Sequence, residues 1–369
     1  MLPALRTDRL SLADVFPSCL AALAGEENPL GLPAVRTAIV LLVDGLGSQA
    51  LAARAGHART LAAAAKPMQS GFPTTTASAL ATLTTGLTPG QHGLVGYSVL
   101  DAAHGRVINQ LSGWDGIDPL QWQDRPTGFE RAVDAGYRAT VVASDRYRES
   151  PFTHAVLRGA AFVSGSSIAD RLDAAARLAR EPGSPHLVYV YIPEVDAAGH
   201  AHGSDSPQWT HALEAVESAV SSLRLPEDAG LLVTADHGVI DVAAHNHILY
   251  DSVPALVDGV AHVGGEPRCL QLYLAPGADL DALADAWHTS EDSRSWVATK
   301  AEAIEAGWFG EVRPEVSDRI GDLIVAARKG VAYYSVTASD RSRAMVGQHG
   351  SWSAAELNVP LIRLGAFAS

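Results

Sequence analysis

Three apolar runs in this chain of 369 residues each end in acid or histidine. AIVLLVDGLG closes on Asp44, LVYVYIPEVDAAGH on Asp196 and His200, and GLLVTADHG on Asp236 and His237. Continuous Val/Ile/Leu runs read as buried parallel strands, and open α/β sheets gather ligands just beyond the strand carboxyl ends. Carboxylates and imidazoles far apart in sequence therefore converge at one end of a sheet. That donor set suits zinc or manganese and requires no thiolate. Taken singly, an Asp-Gly after a strand more often makes a turn, because Asp bonds its own backbone and Gly takes positive φ. Three such ends in one chain outweigh that reading.

A second segment, SGFPTTTASALATLTTGLTPGQHG, stops an extended stretch at Phe72-Pro73 and starts a helix of small residues near Thr76. A helix N-cap accounts for one of Thr74, Thr75 and Thr76, not for all of them. The free N–H groups and positive dipole end of a helix start favour a phosphate group, so a hydroxyl there sits beside its anion. A threonine hydroxyl becomes a useful nucleophile at neutral pH only when a base or metal ion stabilises its alkoxide. The Asp/His cluster is a source of that metal.

The elements that position these groups follow an α/β rhythm. Strand-like runs at 38–43, 139–143, 186–192 and 231–234 are separated by helical stretches at 125–136, 167–180 and 208–223. SLADVFPSCLAALAG reads as a leading helix. Between about His245 and Asp318 the rhythm changes to short alternating segments (VAHVGG, RCLQLYLA, SRSWVATK) with one Ala/Asp-rich helix. This predicts an inserted cap with its own small sheet over 245–318, the core occupying 1–244 and 319–369. The core strand pattern is expected to resume at GDLIVAARKG. Segment 97–125, with Trp114 and Trp122, reads as a long excursion near the first strand–helix turn.

Lys and Arg number 27 against 41 Asp and Glu, a net charge of −14. Such a balance argues against a nucleic-acid polymer or an anionic membrane as the main partner. Cys19 and Cys269 lie 250 positions apart, which excludes a disulfide framework or a Cys-based zinc knuckle. The start, MLPALRTDRLSLADV, lacks the basic-then-apolar pattern of a signal peptide, and no run reaches the roughly 18 apolar residues of a membrane span. A cytoplasmic protein without a membrane partner is expected.

These residues resemble the alkaline phosphatase superfamily and, within it, the nucleotide pyrophosphatase/phosphodiesterase branch (type I phosphodiesterases), over most of the chain. VDGLG is similar to the family's first-strand Asp-Gly. PTTTASALATLTTGL is similar to its P-T-x-T nucleophile pattern, with Thr76 ten residues before Gly86. Asp196-Ala-Ala-Gly-His200 matches a D-x-x-G-H motif, Asp236-His237-Gly238 a D-H-G motif and His349-Gly350 a late H-G motif. RIGDLIVAARKG looks like the branch's strand before the final ligand.

The resemblance implies an α/β fold, an alkaline-phosphatase-like core sheet flanked by helices with a small inserted α+β cap. It also implies two divalent metal ions, most simply Zn²⁺, one held by Asp196, His200 and His349, the other by Asp44, Asp236 and His237. Thr76 lies between them as nucleophile and metal ligand. The implied activity is hydrolysis of small-molecule phosphodiesters or nucleotide pyrophosphates through a phosphothreonine. Alternatives are a phosphomonoesterase or phosphonate hydrolase of the same superfamily, or an inactive metal- or nucleotide-binding relative. Three carboxylates against two divalent ions leave a formal charge of about +1, suited to a phosphoryl anion.

Departures from the pattern sharpen the reading. Ala79 stands where the branch's pattern implies an Asn contacting a phosphate oxygen, leaving that contact to backbone N–H groups or Ser78. Thr75 stands where monoesterases carry a third-metal Asp, which favours diesters. The C-x-P-x-R type motif of sulfatases is missing around Thr76. Among other residues, His202 reads as solvated or substrate-facing, and His92 as a turn residue. His245 and His247 form an H-x-H without a carboxylate partner at fixed spacing. Tyr97, Trp114 and Trp122 could stack on a nucleobase, although large aromatics more often pack the core or cap.

Overall fold

Every residue of the strand Thr37–Val43 is buried, the condition of a strand covered on both faces of its sheet. In the computed structural model, which describes residues 2–6 and 8–368, this strand pairs in parallel with His186–Ile192 on one side and Ala229–Thr234 on the other. His186–Ile192 continues in parallel to Arg138–Ala143, which pairs with the edge strand Ala161–Ser164. Beyond Ala229–Thr234, the strand Asn358–Gly365 runs antiparallel and carries Ala65–Gln69 at the far edge. The result is a mostly parallel sheet of seven strands. All four expected core strands are present, with ends shifted by at most two residues.

Helices cover this sheet for reasons visible in their stripes. Pro207–Ser222 buries Trp209, Leu213, Val216 and Val220, a 4-3-4 spacing that puts all four on one face. Burying each of the aliphatic members contributes about 1.5–3 kcal/mol. The Ser206 side chain accepts the Trp209 N–H and starts the helix with Pro207 in its first turn. This helix packs beside Ile168–Arg180, whereas Val15–Ala24 packs beside Gly128–Asp134 and Thr76–Thr85. The expected leading helix is preceded by a short 3₁₀ turn at Leu12–Asp14.

A second sheet is fully antiparallel, in the order Val260–Glu266, Cys269–Leu274, Leu323–Ala327, Ser295–Thr299. The expectation that the core strand pattern resumes at GDLIVAARKG is therefore corrected: Leu323–Ala327 is an inner strand of the small sheet. Its all-apolar sequence arises because both faces are covered. Leu323, Val325 and Ala327 pack with Leu272, Leu283 and Trp287, whereas Ile324 and Ala326 pack with Trp308, Phe309 and Ile320. The Ala/Asp-rich helix is Leu280–Glu291. The excursion after Tyr97 contains a hairpin, Ser98–Asp101 with Arg106–Asn109, which packs against Val260–Glu266. No helix among the described residues is long and apolar enough to cross a membrane.

Candidate active site

Three adjacent parallel strands, Ala229–Thr234, Thr37–Val43 and His186–Ile192, end side by side, so the residues that follow them share one edge. Asp44 follows the middle strand directly, and its N–H donates to the Ile192 carbonyl at 2.9 Å. Gly45 turns the chain at φ +73°, where a Cβ would lie 2.8 Å from Asp196 Cβ, so a side chain is excluded on both grounds. Its N–H donates to Asp236 Oδ1 at 3.1 Å, tying two strand tips together. Asp196 and His200 sit four apart on the helix Glu194–His202, on one face, with Oδ2 and Nε2 3.2 Å apart.

All three imidazoles present Nε2 to this cluster. His349 Nδ1 donates to the Thr74 carbonyl at 2.8 Å, His200 Nδ1 to the Gly347 carbonyl at 2.8 Å, and His237 Nδ1 faces the Gly238 carbonyl at 3.2 Å. Carbonyls only accept, so the protons are assigned to Nδ1 and the Nε2 lone pairs point inward. His200 Nε2 and His349 Nε2 face each other at 3.3 Å. His237 Nε2 lies 3.5 Å from Asp44 Oδ1 and 3.4 Å from Asp236 Oδ2. Asp44 Oδ1, Asp196 Oδ1 and Asp236 Oδ2 are buried without a hydrogen-bond partner. Inward lone pairs and unpaired carboxylate oxygens, with no Lys or Arg paired to these carboxylates among the described residues, are a donor set that fits divalent cations.

Electrostatic strain in the cluster follows from the same crowding. Burial, then Asp236 and Asp196, push the Asp44 carboxyl well above its ordinary value. Burial acts upward on Asp196 too, but the His200, His237 and His349 rings outweigh it and hold its carboxyl low. For His200 burial acts downward and Asp196 overrides it, raising the imidazole. Burial together with His237 and His200 drives His349 well below its ordinary value.

Ligand-distance groups form as Asp44, Asp236, His237 and as Asp196, His237, His349. His200 adjoins the second through Asp196 and His349. His237, which the resemblance gives to one ion, is thus within reach of both groups, because its ring stacks on His349 at 3.6 Å and 17°.

Thr76 opens the helix Thr76–Thr85, and its Oγ1 lies 3.2 Å from His237 Nε2. Thr75 is the N-cap residue by backbone geometry, yet its hydroxyl makes no capping bond. Thr74 Oγ1 instead donates to the Ser351 carbonyl at 2.8 Å and accepts the Gly350 N–H at 3.0 Å. Glu356 braces both histidine loops: its carboxylate accepts the Ser351 N–H, and its carbonyl accepts the Gly238 N–H at 2.8 Å. A fully buried Arg268 pairs with it in turn.

Asp44, Thr76, Asp196, His200 and His349 line a cavity of about 500 Å³, with Asp236 and His237 fully buried beside it. Ala79 does not line it; that position packs into the main core. Ser78 is also unavailable, because its hydroxyl donates to the Leu94 carbonyl. His92 is the expected turn residue, buried with Nε2 3.0 Å from Thr82 Oγ1 and Nδ1 accepting the Leu94 N–H. His202 and His245 are exposed, and neither they nor His247 belong to a ligand group. Trp114 and Trp122 pack on each other away from the cavity, whereas Tyr97 lines it. Cys19 and Cys269 are free and buried.

Two groups at the site escaped the sequence reading. Tyr191 donates its hydroxyl to Asp44 Oδ2, and Glu266, from the small sheet, brings Oε2 within 3.5 Å of His349 Nδ1. Alternation in VYVYI marks Tyr191 as sharing a strand face with Tyr189, but no pattern ties that face to Asp44.

A sequence model of type I phosphodiesterase/nucleotide pyrophosphatase matches residues 38–352. An uncharacterised pyrophosphatase/phosphodiesterase of Schizosaccharomyces pombe is 24% identical over 208 residues, 52% of this chain and 41% of the relative, so the match spans less than half of that protein. Murine ectonucleotide pyrophosphatase/phosphodiesterase 5 has a similar fold, with a TM-score of 0.69 at 18% identity over 88% of this chain and 87% of that one. Phosphonoacetate hydrolase from Sinorhizobium meliloti, in complex with phosphonoacetate, gives 0.69 at 19% identity over 90% and 91%. The chain belongs to the type I phosphodiesterase/nucleotide pyrophosphatase family.

Proposed function

We propose that this protein is a two-metal hydrolase that cleaves phosphodiester or nucleotide pyrophosphate bonds through a phosphothreonine on Thr76. Asp196, His200 and His349 would hold one divalent cation and Asp44, Asp236 and His237 the other, Zn²⁺ being the ion this donor set suits. Bound there, the cations supply Lewis-acid polarisation of phosphoryl oxygens. The observation that carries the reading is the seat of Thr76 Oγ1, 3.2 Å from His237 Nε2 at the start of a ten-residue helix. The first-turn N–H groups of Thr76, Ala77 and Ser78 lack intrahelical acceptors and are oriented to receive phosphoryl oxygens.

Thr76 Oγ attacks phosphorus; the Oγ–P bond forms as the bond to the leaving alcohol or phosphate breaks. Water then attacks the same phosphorus from the vacated side, breaking the Oγ–P bond and releasing a phosphate-bearing product. The small sheet acts as a cap that delivers Glu266 to the cavity wall. Family membership supports the hydrolytic class, and the presence of every proposed metal-ligand residue together with the Thr76 hydroxyl supports activity over a silent relative. The test is acid quenching of metal-replete protein during turnover of an aryl phosphodiester, followed by peptide mass spectrometry. Phosphate on Thr76 is expected; phosphate elsewhere, or none under burst kinetics, excludes the mechanism.

A further inference from the structure

The small sheet meets the candidate active site at a hairpin tip. Its strand Val260–Glu266 runs antiparallel to Cys269–Leu274 with Glu266 opposite Cys269, so Pro267 and Arg268 alone form the turn. Both residues that flank Pro267 reach the loop carrying His349. Arg268, fully buried, pairs with the Glu356 carboxylate at 2.7 and 2.8 Å, and that carboxylate accepts the Ser351 N–H at 3.0 Å. Glu266 reaches the loop directly, with Oε2 3.5 Å from His349 Nδ1. Gly350 makes this approach possible: at φ +125° its Cβ would stand 2.6 Å from Glu266 Cγ and Cδ. A side chain at position 350 would occupy the volume that Glu266 fills.

The Glu266 carboxyl is buried without a cation to match it. Oε1 has no hydrogen-bond partner, and no Lys or Arg among the described residues pairs with this side chain, because the Arg268 guanidinium is committed to Glu356 and to backbone carbonyls. Burial outweighs Thr75 and Arg268 and pushes the carboxyl well above its ordinary value. A buried carboxylate is costly unless it is paired. The ionisable group it does face is the ring whose Nε2 is offered to the Asp196 group. The His349 Nδ1–H is held by the Thr74 carbonyl at 2.8 Å, so Glu266 acts on the ring as a charge beside Nδ1 and not as the acceptor of its proton. A carboxylate behind a ligand imidazole orients the ring and raises its basicity at the opposite nitrogen.

We propose that Glu266 is a positioning residue for the metal centre: its carboxylate, delivered by the small sheet, supports His349 as a ligand and makes that sheet part of the cation site of Asp196, His200 and His349. The inference rests on the two-metal reading above and deepens it. A cation at His349 Nε2 draws positive charge onto the ring and gives Glu266 the partner it lacks. The carboxylate therefore costs stability in metal-free protein and strengthens the loaded site. Ordinary packing would contribute with and without metal alike.

Calorimetry with Zn²⁺ under chelator competition, and melting curves of the full chain with and without metal, compare Glu266→Gln with the unaltered protein. The substitution keeps the shape and removes the charge. One of the two Zn²⁺ equilibria is expected to weaken by about tenfold, the other staying within about twofold. The metal-free variant is expected to melt no lower than the metal-free unaltered protein. Glu266→Asp, which keeps the charge, should retain more affinity than Glu266→Gln. Unchanged affinity at both sites, equal weakening of both, a metal-free Glu266→Gln that melts lower or fails to fold, or an Asp variant weaker than the Gln variant overturns the inference while leaving two-metal binding intact. If the unaltered protein binds a single ion, the two-metal reading falls, and a tenfold loss of that ion in Glu266→Gln still supports the role. Absence of any binding by the unaltered protein overturns both.

Discussion

The Nδ1–H of His349 donates to the backbone carbonyl of Thr74 at 2.8 Å, so the histidine proposed as the last metal ligand is oriented by the segment that carries the proposed nucleophile. The Thr74 hydroxyl strengthens the tie by bonding Gly350 and Ser351. One short segment therefore aims His349 Nε2 and seats Thr76 at the same time. Such partners behind a ligand histidine set its tautomer and its basicity.

Two divalent ions per chain are expected by elemental analysis of protein loaded with Zn²⁺. Asp44→Ala or Asp236→Ala is expected to empty mainly one position, and Asp196→Ala or His200→Ala the other. Strong chelator should abolish turnover, with recovery on adding Zn²⁺ back. A single ion in the unaltered protein, or two in all four variants, contradicts the assignment.

Replacing the proposed nucleophile should separate the threonines. Thr76→Ala is expected to lower kcat by at least about a thousandfold, roughly 4 kcal/mol of transition-state stabilisation, while keeping the fold and metal. Thr75→Ala should stay within about tenfold, since its hydroxyl caps nothing. Thr74→Ala should weaken metal binding around His349, because Gly350 and Ser351 lose their anchor. Melting curves, metal content and kcat measured together check the ordering, and a Thr75 variant as inactive as the Thr76 variant would contradict it.

Charge balance predicts substrate class. A diester's single negative charge matches the formal +1 of three carboxylates with two dications, whereas a monoester brings a second charge without a third cation to meet it. For matched nitrophenyl substrates, kcat/KM for the diester is expected to exceed that for the monoester by about tenfold, or roughly 1.4 kcal/mol. Equal or reversed preference would move the protein to the monoesterase side.

Acid sensitivity should trace partly to His92. Burial, with help from Arg313 and Arg319, lowers its imidazole from 6.5 to about 3 in the folded chain. Between those values the unfolded chain binds a proton that the folded chain does not, so this contribution is complete above pH 6.5 and lost as pH falls toward 3. The slope is at most about 1.4 kcal/mol per pH unit. His92→Gln should reduce the stability lost between pH 6.5 and 4.5 by about 2 kcal/mol in denaturant titrations. An unchanged slope would mean that other groups control the acid limb.

Asp44, Asp196, Asp236 and His237 were legible in the sequence because a buried parallel strand announces itself by an apolar run, and its carboxyl end is where such sheets collect ligands. The helix start at Thr76 was legible for a similar local reason, the break at Phe72-Pro73 before small residues. His349 follows no such run and was reached only through motif resemblance. Tertiary structure decided the rest. Leu323–Ala327 has the composition of a core strand, yet partners are chosen by which faces are covered, and two separate clusters cover this one in the small sheet. Position 79 lies within one helical turn of Thr76, yet its short side chain packs in the core rather than on the cavity wall, a placement set by what the helix packs against. Hydrophobic period and turn chemistry act over a few residues and can be read along the chain, whereas the direction a polar side chain faces across a cavity is set by packing between segments distant in sequence.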